Sequence, residues 1–202
     1  MSAEIRDITG VVLAGGANKR FPALKGFIRI GDSTIIGKTL NLFKKTFREV
    51  YISANMPEKY FSLGVPLIGD VLPSKGPVSG IYSSLINIKG EDIFVAACDM
   101  PFLSREIIAL ICGKHLEAAG RADATVPVCN DKPQPLLGIY SKTALPRLES
   151  GILHDKAALR RLLGEMRTNF IPETDVRAAD PYGRSFMNIN SPEDYEAVMR
   201  SV

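Results

Sequence analysis

The run Ile93-Phe94-Val95-Ala96-Ala97-Cys98, followed at once by Asp99-Met100-Pro101, decides the fold. An unbroken apolar run of this length predicts a strand covered on both faces, as in a parallel sheet flanked by helices. A helix is expected next, from about Ser104 to Leu116. The same unit recurs upstream. Ile8–Leu13, Val50–Ser53 and Val65–Ile68 read as strands. Residues 34–47 carry Ile36, Leu40, Phe43 and Phe47 at helical spacing, and residues 78–88 carry Ile81, Leu85 and Ile88 likewise. Pro57–Phe61 reads as a turn or short helix. Strand alternating with helix predicts an α/β domain with a mostly parallel sheet.

The second half is less regular. Ala124–Val128 and Leu136–Tyr140 read as strands joined by the turn-rich Cys129-Asn130-Asp131-Lys132-Pro133-Gln134-Pro135, so an antiparallel element is expected there. Residues 156–163 read as a short helix, with His154 and Asp155 at its start, and 168–171 as an edge strand. A last helix should open at Ser191-Pro192-Glu193-Asp194, with a Ser N-cap, Pro at the first helical position and an acid closing a capping box. The whole, residues 1–202, is expected to be a single three-layer αβα domain.

Composition excludes several functions. The chain is 46% hydrophobic and 23% charged, and 25 Lys plus Arg against 22 Asp plus Glu leave a net charge of +3. That balance gives no argument for nucleic acid or a membrane surface. No apolar run reaches the roughly 18 residues of a spanning helix. The start, Met1 to Gly10, has acidic residues and no apolar signal core, so a cytoplasmic protein is expected. Cys98, Cys112 and Cys129 form no CxxC pair and read as reduced thiols, Cys98 as a small core residue. His115 reads as a satisfied core or boundary histidine. Two histidines are too few for a His-rich metal site.

A parallel sheet delivers its strand carboxyl ends to one edge, where ligands bind. Past the first strand comes Leu13-Ala14-Gly15-Gly16, past the second Asn55, past the third Asp70 and past the fourth Asp99. From Ile8 to Gly31 there are four cations (Lys19, Arg20, Lys25 and Arg29) and no acid. The Gly pair, with Arg20 and Lys25 above it, suits a polyphosphate; the bland alternative is a Gly turn with solvated cations. Asp99 is either a hard-oxygen ligand for Mg²⁺ between two phosphates or a cap. Asp70 precedes Val71-Leu72-Pro73-Ser74-Lys75-Gly76-Pro77, a loop that could close over a base or a second metal position, or it is a turn residue. Asn188 and Asn190 share one face of an extended segment, where they either bind a polar ring or cap the turn. No Ser-His-Asp or Cys-His arrangement supports covalent catalysis.

Leu13-Ala14-Gly15-Gly16, then Arg20, then Lys25, resembles the LAGGxxxRMGxDK signature of molybdenum cofactor guanylyltransferases and their nucleotidyltransferase relatives. The resemblance continues through Asp70, Gly76-Pro77-Val78-Ser79-Gly80, Cys98-Asp99-Met100-Pro101, Gln134-Pro135-Leu136 and the stretch from Asn188 to Asp194. It implies a Rossmann-like nucleotide-binding half over about 1–105 and a mixed-sheet acceptor-binding half over about 106–202. It also implies transfer of GMP from GTP to molybdenum-molybdopterin, with release of pyrophosphate. Leu13, Ala14, Gly15 and Gly16 would contact the nucleotide, Lys25 and Arg20 the phosphates, Asp70 the nucleotide, and Asp99 the Mg²⁺. The family's nucleotide-contacting amide falls at Ser53 in an ungapped match, with Asn55 two residues on.

Two departures stand in the loop. Phe21-Pro22 replaces Met-Gly, and Leu24 replaces the acid before the lysine. The readings beside the guanylyltransferase are a sister enzyme using CTP or a sugar or isoprenoid phosphate, and a non-catalytic molybdopterin-binding partner of the same fold. Partners would be GTP, molybdopterin and, downstream, molybdoenzymes or delivery proteins, with the chain a monomer or weak homo-oligomer.

Overall fold

The computed structural model describes residues 5, 7–15 and 25–200. Strand β1 (Thr9–Leu13) lies at the centre of the main sheet. A 3-10 turn (Lys25–Phe27) and a small hairpin of β2 (Arg29–Ile30) and β3 (Ser33–Thr34) lead into helix α1 (Ile35–Thr46). Thr34 caps that helix, its Oγ1 accepting from the Gly37 amide. There follow β4 (Val50–Ser53), a 3-10 segment (Pro57–Leu63), β5 (Leu67–Ile68), α2 (Pro77–Asn87), β6 (Asp92–Ala97) and α3 (Arg105–Glu117). Then come β7 (Ala124–Cys129), β8 (Lys132–Pro133), β9 (Leu137–Ser141), α4 (Leu145–Leu153), α5 (Leu159–Glu165), β10 (Thr168–Ile171), α6 (Glu173–Ala179) and α7 (Pro192–Arg200).

The main sheet runs β10-β7-β9-β6-β1-β4-β5, with β8 paired to β7. Strands β5, β4, β1 and β6 are mutually parallel, and β9 enters antiparallel to both β6 and β7. The antiparallel element expected in the second half is therefore β9, with the β7–β8 hairpin beside it. As expected, residues 168–171 form an edge strand.

Period-two alternation along each strand sorts its side chains between two cores. Val12, Phe94 and Ala96 pack under α1, α3 and α6; Val11, Leu13, Ile93 and Val95 pack under α2, α4 and α5. The result is the expected three-layer fold. A third, smaller core of Ile28, Ile30, Ile35, Ile189 and Val198 fastens α7 and the segment before it to the hairpin. The last helix opens as expected: Ser191 Oγ accepts from the Asp194 amide at 3.2 Å, and Asp194 Oδ2 accepts from the Ser191 amide at 3.0 Å. His115 is buried and satisfied, with Thr125 Oγ1 at 3.0 Å and Asp92 Oδ1 at 3.4 Å.

Three expectations need correction. The third strand is only Leu67–Ile68, because Pro66 has no amide to donate; its carbonyl still accepts from Ile52 N at 3.0 Å. Helix α4 was not anticipated from sequence, although Leu145, Leu148 and Ile152 lie on one face and Pro146 suits a first turn. His154 consequently ends α4 rather than starting the next helix, which begins at Leu159. Finally, Cys98 lies one residue past the end of β6 and is half-buried at the rim of a cleft, not inside the strand.

Candidate functional site

The parallel register sets the site. Leu13 is aligned with Ser53 on one side and Ala97 on the other, and Ser53 is aligned with Ile68. One residue further on, the backbone ladder persists: Ala14 N donates to Ser53 O, Ala54 N to Ile68 O and Cys98 N to Leu13 O. Two residues beyond the aligned row stand Asp70, Asn55, Gly15 and Asp99. Four strands thus deliver two carboxylates, an amide and a glycine to one edge, by register alone.

These residues line a cleft of about 510 Å³. Leu13, Ala14, Gly15, Lys25, Ser53, Asn55, Asp70, Asp99, Asn188 and Asn190, all expected from sequence, face it together. Gly16 and Arg20, like Lys19, Pro22 and Leu24, lie outside the described residues. Arg29 is not brought to the cleft; its guanidinium donates to Asp32 O within the β2–β3 hairpin. Ser53 and Asn55 differ in what they offer. The Ser53 hydroxyl is buried and donates to Gly80 O at 3.3 Å, whereas the Asn55 amide stands beside Gly15, 3.7 Å from where a Cβ on that glycine would lie.

Lys25 bridges the two sides of the cleft. Its Nζ donates to Asn190 Oδ1 at 2.6 Å and lies 3.5 Å from Asp99 Oδ2. Asn190 belongs to the segment before α7, which is tied to the exit of β6 by Ile189 N donating to Asp99 O at 3.1 Å. Burial raises the Asp99 carboxyl above its ordinary range, and the Lys25 ammonium pulls it back in part. The other carboxylate oxygen, Asp99 Oδ1, is buried with no hydrogen-bond partner, and so is Asn188 Oδ1. Two unsatisfied hard oxygens on one cleft are costly in a folded protein unless something is meant to meet them. Burial also pushes the Cys98 thiol up to about 12, with the Asp99 charge adding to the effect, which disfavours the reactive thiolate.

Sequence reasoning missed part of the wall. Met56 and Tyr60 face the cleft, and neither belongs to a motif. Tyr60 is buried in the 3-10 segment after β4 and donates its hydroxyl to Ala14 O at 2.8 Å. The Val71–Gly76 loop is braced from α2: Ser83 Oγ accepts from Val71 N at 2.9 Å, and Ser79 Oγ accepts from Lys75 N at 2.8 Å.

Residues 10–169 match the MobA-like NTP transferase domain family. The chain is 31% identical to a protein of Pelotomaculum thermopropionicum named probable molybdenum cofactor guanylyltransferase, over 92% of this chain and 89% of that one. It is 30% identical to the molybdenum cofactor guanylyltransferase of Desulfosudis oleivorans, over 94% and 93%. Among solved structures, the molybdopterin-guanine dinucleotide biosynthesis protein A of Archaeoglobus fulgidus superposes with a TM-score of 0.84 at 26% identity, over 96% of this chain and 98% of that one.

Proposed function

The chain belongs to the MobA-like NTP transferase family, and from that membership and the cleft we propose that it transfers GMP from GTP to molybdenum-molybdopterin, forming molybdopterin guanine dinucleotide and pyrophosphate. The observation that carries this reading is the row Asp70, Asn55, Gly15 and Asp99 with Lys25 bridging its end. On this reading the nucleotide half is residues from about 1 to 105 and the acceptor half residues from about 106 to 202.

The reaction is an in-line displacement. A terminal phosphate oxygen of the acceptor bonds to the α-phosphorus of GTP, and the bond from that phosphorus to the oxygen bridging to the β-phosphorus breaks. The acceptor is already an anion, so no strong base is needed. The difficulty is to gather anions and to stabilise the charge on the departing pyrophosphate. The Gly15 backbone, unobstructed by a side chain, receives the phosphates. Lys25 exchanges its contacts with Asp99 and Asn190 for phosphate oxygens. Asn55 and Asp70, on the far side of Gly15, meet the nucleoside.

The two unsatisfied oxygens, Asp99 Oδ1 and Asn188 Oδ1, suit a hard cation. Among the described residues there is no group of three or more His, Cys, Asp or Glu that could hold a metal by themselves. Asp99 and Asn188 would hold Mg²⁺, which would offset phosphate charge when bound.

Thermal denaturation with Mg²⁺ and either GTP or CTP tests the base. GTP at about a hundred times its Kd should stabilise the protein by about 2.7 kcal/mol, with CTP far less effective. A larger effect from CTP would reassign the enzyme to cytidylyl transfer. Binding of GTP and molybdopterin without pyrophosphate release would leave a carrier, not an enzyme.

A further inference from the structure

Tyr60 belongs to no sequence motif, yet it touches two parts of the site at once. Its side chain is buried and faces the cleft. Its hydroxyl donates to the Ala14 carbonyl at 2.8 Å, and its ring stacks on Phe27, centroids 5.6 Å apart at 25°. Ala14 is the first residue past the end of β1, and Phe27 closes the 3-10 turn that starts at Lys25.

We propose that Tyr60 is a positioning residue for the nucleotide phosphates: it aims the Gly15 amide into the cleft and steadies the turn that carries Lys25. The inference rests on the reading above, that the triphosphate lies over the Gly15 backbone. The physical argument is the planarity of the peptide bond. Ala14 C=O and Gly15 N–H belong to one trans unit and point in opposite directions. Holding the carbonyl on Tyr60 therefore fixes the direction of the amide. It also keeps a carbonyl lone pair turned away from an anion. Without the hydroxyl, that buried carbonyl loses its partner and the peptide plane is free to rotate. Burial pushes the Tyr60 hydroxyl up to about 12, so it keeps the proton that it donates.

Tyr60→Phe keeps the ring and the stack and removes only the donor. Calorimetric titration with Mg²⁺-GTP, and with inorganic tripolyphosphate as a probe of the phosphate chain alone, reads the effect. We expect both affinities to fall about fivefold, as for loss of one aligned hydrogen bond, with KM for GTP raised and kcat unchanged. Unchanged affinities for both ligands, whatever happens to the melting temperature, would reduce Tyr60 to a packing role and overturn the proposal. Failure of the unmutated protein to bind either ligand would instead remove the underlying assignment of the cleft. Should Tyr60→Phe not fold, Phe27→Leu, which removes the stack and spares the hydroxyl, carries the same titrations. Unchanged affinities there overturn the proposal as well.

Discussion

Asp99 holds a charge where burial opposes one. The carboxyl is raised by desolvation first, and the Lys25 charge offsets only part of that. A carboxyl raised in the folded state favours folding below its unfolded pKa, and that contribution is lost as pH rises through the folded pKa. Where it is ionised, the group therefore costs stability. Asp99→Asn should lower pyrophosphate release by about 10²–10³-fold, the usual effect of losing one electrostatic group at a reacting centre. Its melting temperature near neutral pH should equal or exceed that of the unmutated protein. A variant that is both active and less stable would contradict the assignment. Asp99 was legible in the sequence because a carboxylate directly after an apolar strand has one place to go. Tyr60 was not, because its partner Ala14 is 46 residues away and nothing local marks the contact.

At the scale of elements, helix α2 approaches the sheet through its one-atom side chain. A Cβ on Gly80 would lie 2.9 Å from Ser53 Oγ, whose hydroxyl is buried and bound to the Gly80 carbonyl. Gly80→Ala should therefore push α2 outward and cost about 1–3 kcal/mol, as overpacking does. Because Leu13, Ser53 and Gly80 all line the cleft, weaker GTP binding should accompany the lower urea midpoint. A variant with undiminished stability would show that the helix can shift freely. The first turn of α7 was legible from Ser191 to Asp194, since a capping box is local chemistry. Helix α4 was harder to read: its apolar face was present, but Pro146 at its start and the loop of residues 154–158 after it resemble a connection.

At the scale of the molecule, Asp123 ties three strands. Its carboxylate accepts from Arg167 Nη2 at 2.6 Å and from Arg167 N at 3.0 Å, and its backbone bonds to both Arg167 and Ser141. The Arg167 side-chain bonds hold the Asp123 carboxyl down, from 3.8 to about 2. A depressed carboxyl contributes stability above its unfolded pKa, lost as pH falls through the folded one. Urea midpoints measured between about pH 2 and 4 should thus climb in the unmutated protein and climb less in Asp123→Asn. Parallel curves would remove Asp123 from the acid response. The amino-acid order alone determined the α/β alternation, the apolar strands, the capping box and the residues at the strand exits, because each depends on neighbours along the chain and on side-chain period. Only the tertiary structure decided that β9 sits between β6 and β7, that Lys25 meets Asn190, and that the Ser53 hydroxyl turns to Gly80. Those outcomes depend on strand register and on which side chain closes a bond across the fold, and neither is encoded by spacing within a single segment.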